Sequence, residues 1–336
     1  MSVLDKNISL TSPDEEEKTL RPKKLHDYIG QEDIKEMLEV FIKASIKRDE
    51  SLDHMLLYGP PGLGKTTLAM ITANELNKNI KITNGASLEK TGDLVSLLST
   101  LEEGDVLFID EIHRLPRVLE EVLYSAMEDY VIDIVIGKEE ETRSLRIDLP
   151  PFTLIGATTR FGDISSPLRD RFGVVFRLKY YNLKELEKIG ERTAKLYGND
   201  YEFESIKILS KRSRGTPRII NRLFRRVRDY ADIKNNSLIS VNITQEALKK
   251  LGISDEGLNE TDFRYLKSLI QNFNGGPVGV ISLATSISEE VTTVEDVYEP
   301  YLIKEGFISR TSRGRIANEK AYKVLGINYY TGFIKQ

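Results

Sequence analysis

Eight consecutive residues, Gly59-Pro60-Pro61-Gly62-Leu63-Gly64-Lys65-Thr66, carry the clearest chemistry in this sequence. They satisfy G-x-x-x-x-G-K-[ST], the phosphate-binding loop of nucleoside triphosphatases. Glycines let the backbone fold tightly, so that successive N–H groups converge on phosphate oxygens. Lys65 adds a point charge for the β- and γ-phosphates, and Thr66 offers a hydroxyl to Mg²⁺. The expectation is a nucleotide-binding loop.

Other candidates follow along the chain, each beside a plainer reading. Asp110-Glu111 ends the apolar run Asp105–Ile109. At the carboxyl end of a buried strand beside the loop, Asp110 would hold Mg²⁺ through water and Glu111 would orient and deprotonate the attacking water. The plainer reading is a solvated strand end. The run Phe152–Ala157 ends in Thr158-Thr159-Arg160, where a hydroxyl would reach the γ-phosphate or the water; strands also commonly end in Thr. Arg169 and Arg171 flank Asp170, which fits an arginine finger given to a neighbouring subunit or an ordinary ion pair. Nine basic residues and no acid lie between Lys207 and Arg228. Among them Arg218, on the first turn of a helix capped by Thr216 and opened by Pro217, would swing toward a nucleotide. For Arg222, Arg225 and Arg226 a solvated basic face is expected. Arg310, Arg313 and Arg315 cluster on one hairpin with no acid nearby, which suits phosphate contacts in a DNA groove.

These residues need elements to hold them. His54–Tyr58 is an apolar run of the kind a buried parallel strand shows, and Thr66–Leu76 reads as the helix that aims its positive end at the phosphates. Upstream, Leu20-Arg21-Pro22 and Asp27-Tyr28-Ile29-Gly30-Gln31 lead into an amphipathic helix (Ile34, Met37, Leu38, Phe41, Ile42). As bare chemistry this is a turn; its place before the loop also makes it a candidate contact on the adenine side. Val131–Lys138 and Arg143–Leu149 alternate around an acidic, glycine-containing turn, a β-hairpin that either docks a protein or packs on its own domain. From Leu183 to about Leu251 helical periodicity replaces the strand pattern. Its stripe would be Ile219, Ile220, Leu223, Phe224 and Val227. From Asn259 onward three short helices and a hairpin around Ser312-Arg313-Gly314 make a winged helix.

Composition narrows the classes. The 336 residues allow two or three domains. No cysteine is present, so disulfides and thiol chemistry are excluded, and three scattered histidines exclude a His-rich metal site. No apolar run spans a membrane, and the acidic N-terminus lacks a signal pattern, so a cytoplasmic protein is expected. The net charge of −4 leaves nucleic-acid binding to local patches.

Taken in order, Leu20-Arg21-Pro22, the phosphate loop, Asp110-Glu111-Ile112-His113, Gly156-Ala157-Thr158-Thr159-Arg160, Leu168–Gly173 and Gly215-Thr216-Pro217-Arg218 closely resemble the RuvB family of Holliday junction branch-migration motors. The resemblance covers about residues 18–327. It implies an α/β AAA+ P-loop domain with a parallel sheet (20–182), a small helical lid (183–256) and a C-terminal winged helix (257–327), after a flexible N-terminus (1–19) and before a tail (328–336). It implies an ATP hydrolase using Mg²⁺, a homo-hexameric ring on duplex DNA, a RuvA-like junction-binding partner docked on the hairpin at 131–149, and a RuvC-like resolvase in the same complex. Leu20, Arg21, Tyr28, Ile29 and Tyr181 would lie along the nucleotide, and Gly62, Leu63, Gly64, Lys65, Thr66 and Thr67 would contact phosphate. Thr159 would sense the γ-phosphate, Arg171 would be the finger, Arg218 the lid sensor, and Arg310 and Arg315 DNA contacts. One departure is Val291, where many members are expected to carry arginine. A rival of another kind is an AAA+ loader or replication initiator, which switches with ATP on DNA without translocating.

Overall fold

A computed structural model describes residues 20–136 and 143–329; the expected flexible N-terminus (1–19), the hairpin turn (137–142) and residues 330–336 of the tail lie outside the described residues. The chain divides between Tyr181 and Asn182 into two compact units.

In the first unit, helix α1 (Glu32–Arg48) buries Ile34, Leu38 and Ile42, spaced four apart on one stripe. Acids in its first turn and bases in its last complement the helix dipole. Strand β1 (Met55–Tyr58) leads into the phosphate loop, and α2 (Lys65–Leu76) follows. Next come β2 (Ile80–Asn84), α3 (Thr91–Leu98), β3 (Val106–Asp110), α4 (Arg117–Glu128), the hairpin strands β4 (Val131–Ile136) and β5 (Arg143–Asp148), β6 (Thr153–Thr158), the short α5 (Ser166–Arg169) and β7 (Val174–Arg177).

Five strands pair in the order β2-β3-β6-β1-β7, all parallel. β6 runs between the acidic strand β3 and the loop strand β1, yet the end of β3 still brings Asp110 to the phosphate loop, with Thr66 Oγ1 3.5 Å from its Oδ2. Register places Tyr58 opposite Thr158 and Asn84 opposite Asp110, so the carboxyl ends of these strands share one edge. All of β6 is buried, as the middle strand of a covered parallel sheet must be. Gly156 sits there because a Cβ would lie 3.1 Å from both Ile112 and Phe172. Leu56, Leu107, Leu154, Phe152 and Phe172 form one core with Leu119 and Leu123 of α4. Each fully buried side chain of this size contributes roughly 1.5–3 kcal/mol, comparable to one hydrogen bond to a charged group, and the core sums many of them. His54 ties three elements together: its Nε2 donates to Met127 O (3.0 Å) while Nδ1 accepts from Leu154 N (2.9 Å). The base of the hairpin packs on its own domain, with Val131 and Ile132 buried, whereas Leu145 is exposed.

The second unit begins with four helices, α6 (Leu183–Tyr197), α7 (Phe203–Arg212), α8 (Pro217–Lys234) and α9 (Val241–Lys250). In α8 the buried stripe is Ile220, Leu223, Phe224, Val227 and Ala231, joined by Arg225. The solvated face expected for Arg225 is thus corrected, while Arg226 is exposed and pairs with Asp229 at 2.9 Å. Thr216 holds the N-cap position, but its side chain does not cap.

The winged helix follows: α10 (Glu260–Lys267), α11 (Val280–Ser286), then α12 (Val291–Thr293) running through a π turn into α13 (Glu299–Lys304), strands β8 (Ile308–Thr311) and β9 (Gly314–Ala317), and α14 (Glu319–Val324). Tyr265, Leu266, Leu283, Leu302 and Phe307 form its core, and Val291 packs against it. Val278 adds a bridge to Arg315 of β9.

Candidate nucleotide-binding and hydrolysis site

The loop after β1 owes its shape to glycine. Gly59, Gly62 and Gly64 all adopt positive φ (146°, 77° and 101°), where a side chain would be strained. At Gly64 a Cβ would also lie 2.6 Å from the Tyr28 hydroxyl. The Tyr28 and Tyr181 hydroxyls lie 3.0 Å apart, each within 3.3 Å of Leu63 O, so the two buried rings brace the loop from behind. Burial pushes the Tyr28 hydroxyl well above its ordinary value, aided by Tyr181, which keeps it neutral. Leu20 is buried nearby in sequence, Arg21 and Ile29 are half-buried, and Arg21 Nη1 meets Met70 Sδ at 3.4 Å.

Lys65 and Thr66 open α2, beside Thr67. Lys65 is buried and its Nζ donates to Gly59 O (2.8 Å) and Pro60 O (3.1 Å). Burial lowers its pKa, while the negative charges of Glu111 and Asp110 act against that. A buried ammonium held by two neutral loop carbonyls can exchange them for phosphate oxygens, which are stronger acceptors for a cation. Thr66 Oγ1 lies 3.5 Å from Asp110 Oδ2, across β6 in strand order. Burial raises the Asp110 pKa, and the neighbouring Glu111 charge adds to it. A hydroxyl and a partly buried carboxylate are an oxygen pair that suits Mg²⁺, which keeps most of its waters and takes one or two protein oxygens. Among the described residues no group of three or more His, Asp or Glu side chains offers a closed metal cage.

Glu111 follows β3 with φ 47°, a left-handed conformation rare outside glycine. That twist turns its carboxylate toward the end of β6. There Thr159 N and Oγ1 both donate to Glu111 Oε2 at 3.2 Å, and His113 Nδ1 lies 3.2 Å away. His113 Nδ1 also meets Thr158 Oγ1 at 2.9 Å. Burial works to raise the Glu111 pKa, but these bonds and the Lys65 charge outweigh it and hold the carboxyl below its usual range. An ionised carboxylate fixed at the strand edge is what a base for water requires.

Arg171, just past α5, contacts its own chain. Nη1 donates to Pro167 O (2.7 Å), Nη2 to Glu128 Oε2 (3.1 Å), and the guanidinium lies 4.3 Å from the Tyr124 ring centre. In the second unit Arg218 occupies the first turn of α8. On the wing, the expectation of no nearby acid is corrected. Glu295 and Glu299, distant in sequence, approach β9: Arg315 Nε and Nη2 meet Glu299 (2.8 and 3.1 Å) and Nη2 meets Glu295 (2.7 Å). The Arg315 side chain is only 8% exposed, against 59% for Arg310, and Arg313 is exposed at the turn.

Three family models follow one another along the chain: the Holliday junction DNA helicase RuvB P-loop domain over 20–178, the RuvB AAA lid domain over 181–254 and the RuvB C-terminal winged helix domain over 255–326. The chain belongs to the RuvB family. The Holliday junction branch migration complex subunit RuvB of Acholeplasma laidlawii is 63% identical over 325 residues, covering 97% of this chain and 96% of the relative. That of Phytoplasma mali is 62% identical over 323 residues, covering 96% and 97%. Among solved structures, the Thermotoga maritima RuvB Holliday junction branch migration motor is similar with a TM-score of 0.86 at 49% identity, over 93% of this chain and 100% of that one.

As a RuvB-family chain this is an AAA+ P-loop ATPase with a lid and a winged helix, and its loop binds nucleotide. No helix among the described residues is long and apolar enough to cross a membrane. Several residues that hold the candidate site residues give no usable signal in sequence. Tyr124 and Glu128 hold Arg171 from 43 or more residues away. His113 was legible only as part of Asp110–His113, and Glu299 only as one acid among many.

Proposed function

We infer that this protein is the ATP-driven motor of Holliday junction branch migration, acting on duplex DNA. The observation that carries the reading is the convergence of Lys65, Thr66, Asp110, Glu111 and Thr159 at one sheet edge, in a chain matched by RuvB models along nearly its whole length. ATP lies with its phosphates on the backbone of Gly62–Thr67 and its adenine toward Leu20, Arg21, Tyr28, Ile29 and Tyr181. Lys65 exchanges loop carbonyls for phosphate oxygens. Thr66 and Asp110 would hold Mg²⁺, which supplies charge neutralisation on the phosphates. Glu111 takes the proton of the attacking water, Thr159 sets the carboxylate and meets the γ-phosphate, and Arg218 reaches the nucleotide from the lid. Arg171 serves the site of the next subunit in a homo-hexameric ring. Arg310 and Arg313 meet DNA phosphates, with Arg315 in the same wing. The hairpin based on β4 and β5 docks a RuvA-like junction-binding protein, and a RuvC-like resolvase joins the complex.

The deciding experiment follows ATP hydrolysis and movement of a synthetic four-way junction together, with a RuvA-like protein present. Hydrolysis stimulated by DNA with directional movement is expected. Stimulated hydrolysis without movement would transfer the protein to the loader class.

A further inference from the structure

The loop between α7 and α8 is fastened to the winged helix by one side chain. Arg214 adopts φ 60°, a conformation that non-glycine residues keep only where their surroundings enforce it. Its Nη2 forms an ion pair with Asp262 Oδ2, Nη1 lies 3.5 Å from Oδ1, and Nε donates to Gly257 O at 2.9 Å. The guanidinium stacks 4.8 Å from the ring centre of Tyr301. Arg214 thereby touches the linker, the first turn of α10 and α13 at once. The Asp262 side chain is fully buried, and it also accepts from Asn259 N at 2.8 Å, closing the cap of α10. Tyr301 in turn donates its hydroxyl to Glu256 O at 2.5 Å. Backbone contact reinforces the joint, since a Cβ on Gly257 would lie 2.8 Å from Arg212 O.

On the other side of Arg214 the chain is equally constrained. Thr216 N donates to Ser213 O at 3.0 Å, closing a turn that hands directly into Pro217, the first residue of α8. Arg218, on that same turn of helix, is the lid residue turned toward nucleotide in the reading above. The lid and the winged helix also belong to one compact unit.

We propose that Arg214 is the positioning residue that makes the lid and the winged helix one rigid lever, so that displacement of the Arg218 helix is delivered to the DNA-binding domain. The proposal rests on the branch-migration reading for its purpose, but its mechanical content is independent of it. A guanidinium is suited to the task because its planar fork engages carboxylate, carbonyl and ring together.

The chain has no cysteine, so spin labels can be placed uniquely in the full-length protein. Ile233 on α8 and Ile281 on α11 are 85% and 69% exposed and accept Ile233→Cys and Ile281→Cys. The distance distribution between the labels should be single and narrow, and unchanged by a non-hydrolysable ATP analogue with Mg²⁺. Arg214→Gln should broaden it. In unlabelled protein, Arg214→Gln should leave DNA-free hydrolysis and duplex affinity within about twofold, yet cut junction movement per ATP by about tenfold or more, because coupling rather than binding is lost. A parent distribution that shifts with nucleotide, or an Arg214→Gln distribution as narrow as the parent's, overturns the proposal. Should Arg214→Gln not fold, Arg214→Lys decides instead. It keeps the charge beside Asp262 but lacks the fork, so broadening supports the lever and a narrow distribution refutes it. If the unsubstituted protein moves no junctions, the branch-migration reading fails while the spin-label measurement still judges Arg214.

Discussion

Thr159 holds Glu111 by two hydrogen bonds, from its backbone N and its Oγ1 to the same carboxylate oxygen, each 3.2 Å long. The two residues lie 48 positions apart and meet because β3 and β6 are neighbours whose ends share an edge. In the proposed reading the residue that meets the γ-phosphate thus also aims the base. Thr159→Val keeps the backbone bond and loses the hydroxyl one. It should bind ATP normally and hydrolyse it roughly 10–100-fold more slowly, within the range for a misaligned base. Unchanged turnover in a single-turnover assay would show that the hydroxyl bond does not orient Glu111.

Lys65 and Glu111 should separate binding from chemistry. In the proposed mechanism Lys65 meets phosphate charge already present in the ground state, whereas Glu111 acts only on water. Lys65→Ala should abolish nucleotide binding in titration calorimetry. Glu111→Gln should keep ATP bound and block its hydrolysis. Near-normal turnover by Glu111→Gln would remove it from the site.

Arg171 is parked on Glu128, Pro167 and Tyr124 of its own chain. If it serves the neighbour, Arg171→Ala should bind ATP but hydrolyse it about 10³–10⁵-fold more slowly. A head-to-tail contact repeated to closure makes a ring. Mixing Arg171→Ala with Lys65→Ala should therefore restore some hydrolysis where an intact loop meets an intact finger. Co-assembly with no recovery at any ratio would rule out action in trans.

The wing arginines should divide into two kinds. Arg310→Gln and Arg313→Gln should each weaken duplex binding for all sequences and reduce the salt slope by about 0.9. Arg315→Gln removes the positive charge beside Glu299, whose side chain is 2% exposed and also accepts from the Tyr265 hydroxyl, and should destabilise the winged helix by about 3–5 kcal/mol. Denaturant titration reads that loss directly, and an unaltered midpoint would show that the pair carries no stability.

His54 gives the P-loop domain a pH dependence. Burial lowers its pKa, opposed by the bond to Met127 O and by Asp53. Protonating Nδ1 would also break its bond from Leu154 N. Since the folded value lies below the unfolded one, about 6.5, the unfolded chain binds more protons between the two. Stability from this group is complete above that pH and is lost as pH falls toward the folded value, by up to about 1.4 kcal/mol per pH unit. Urea midpoints at pH 7.5 and 5.5 for the parent and His54→Phe should show a smaller loss in the variant. Equal losses would assign the effect elsewhere.

The sequence by itself determined the parts whose chemistry is local. The phosphate loop, the strand before it and the helix after it are set within a few residues by glycine, lysine and apolar runs. The order of motifs was enough to place the chain in its family. The edge strands β2 and β7 are not legible in the sequence, because each is short and partly exposed, Ile82 and Val175 among their open residues. Tertiary structure decided everything that depends on which strand or helix lies next to which. It put β6 between β1 and β3, brought Thr159 to Glu111, and buried Arg225 and Arg315 where spacing alone predicted solvent or DNA. It also joined Arg214 to Asp262, 48 residues away. A buried charge is stable only beside its partner, and the partner is chosen by packing in three dimensions rather than by distance along the chain.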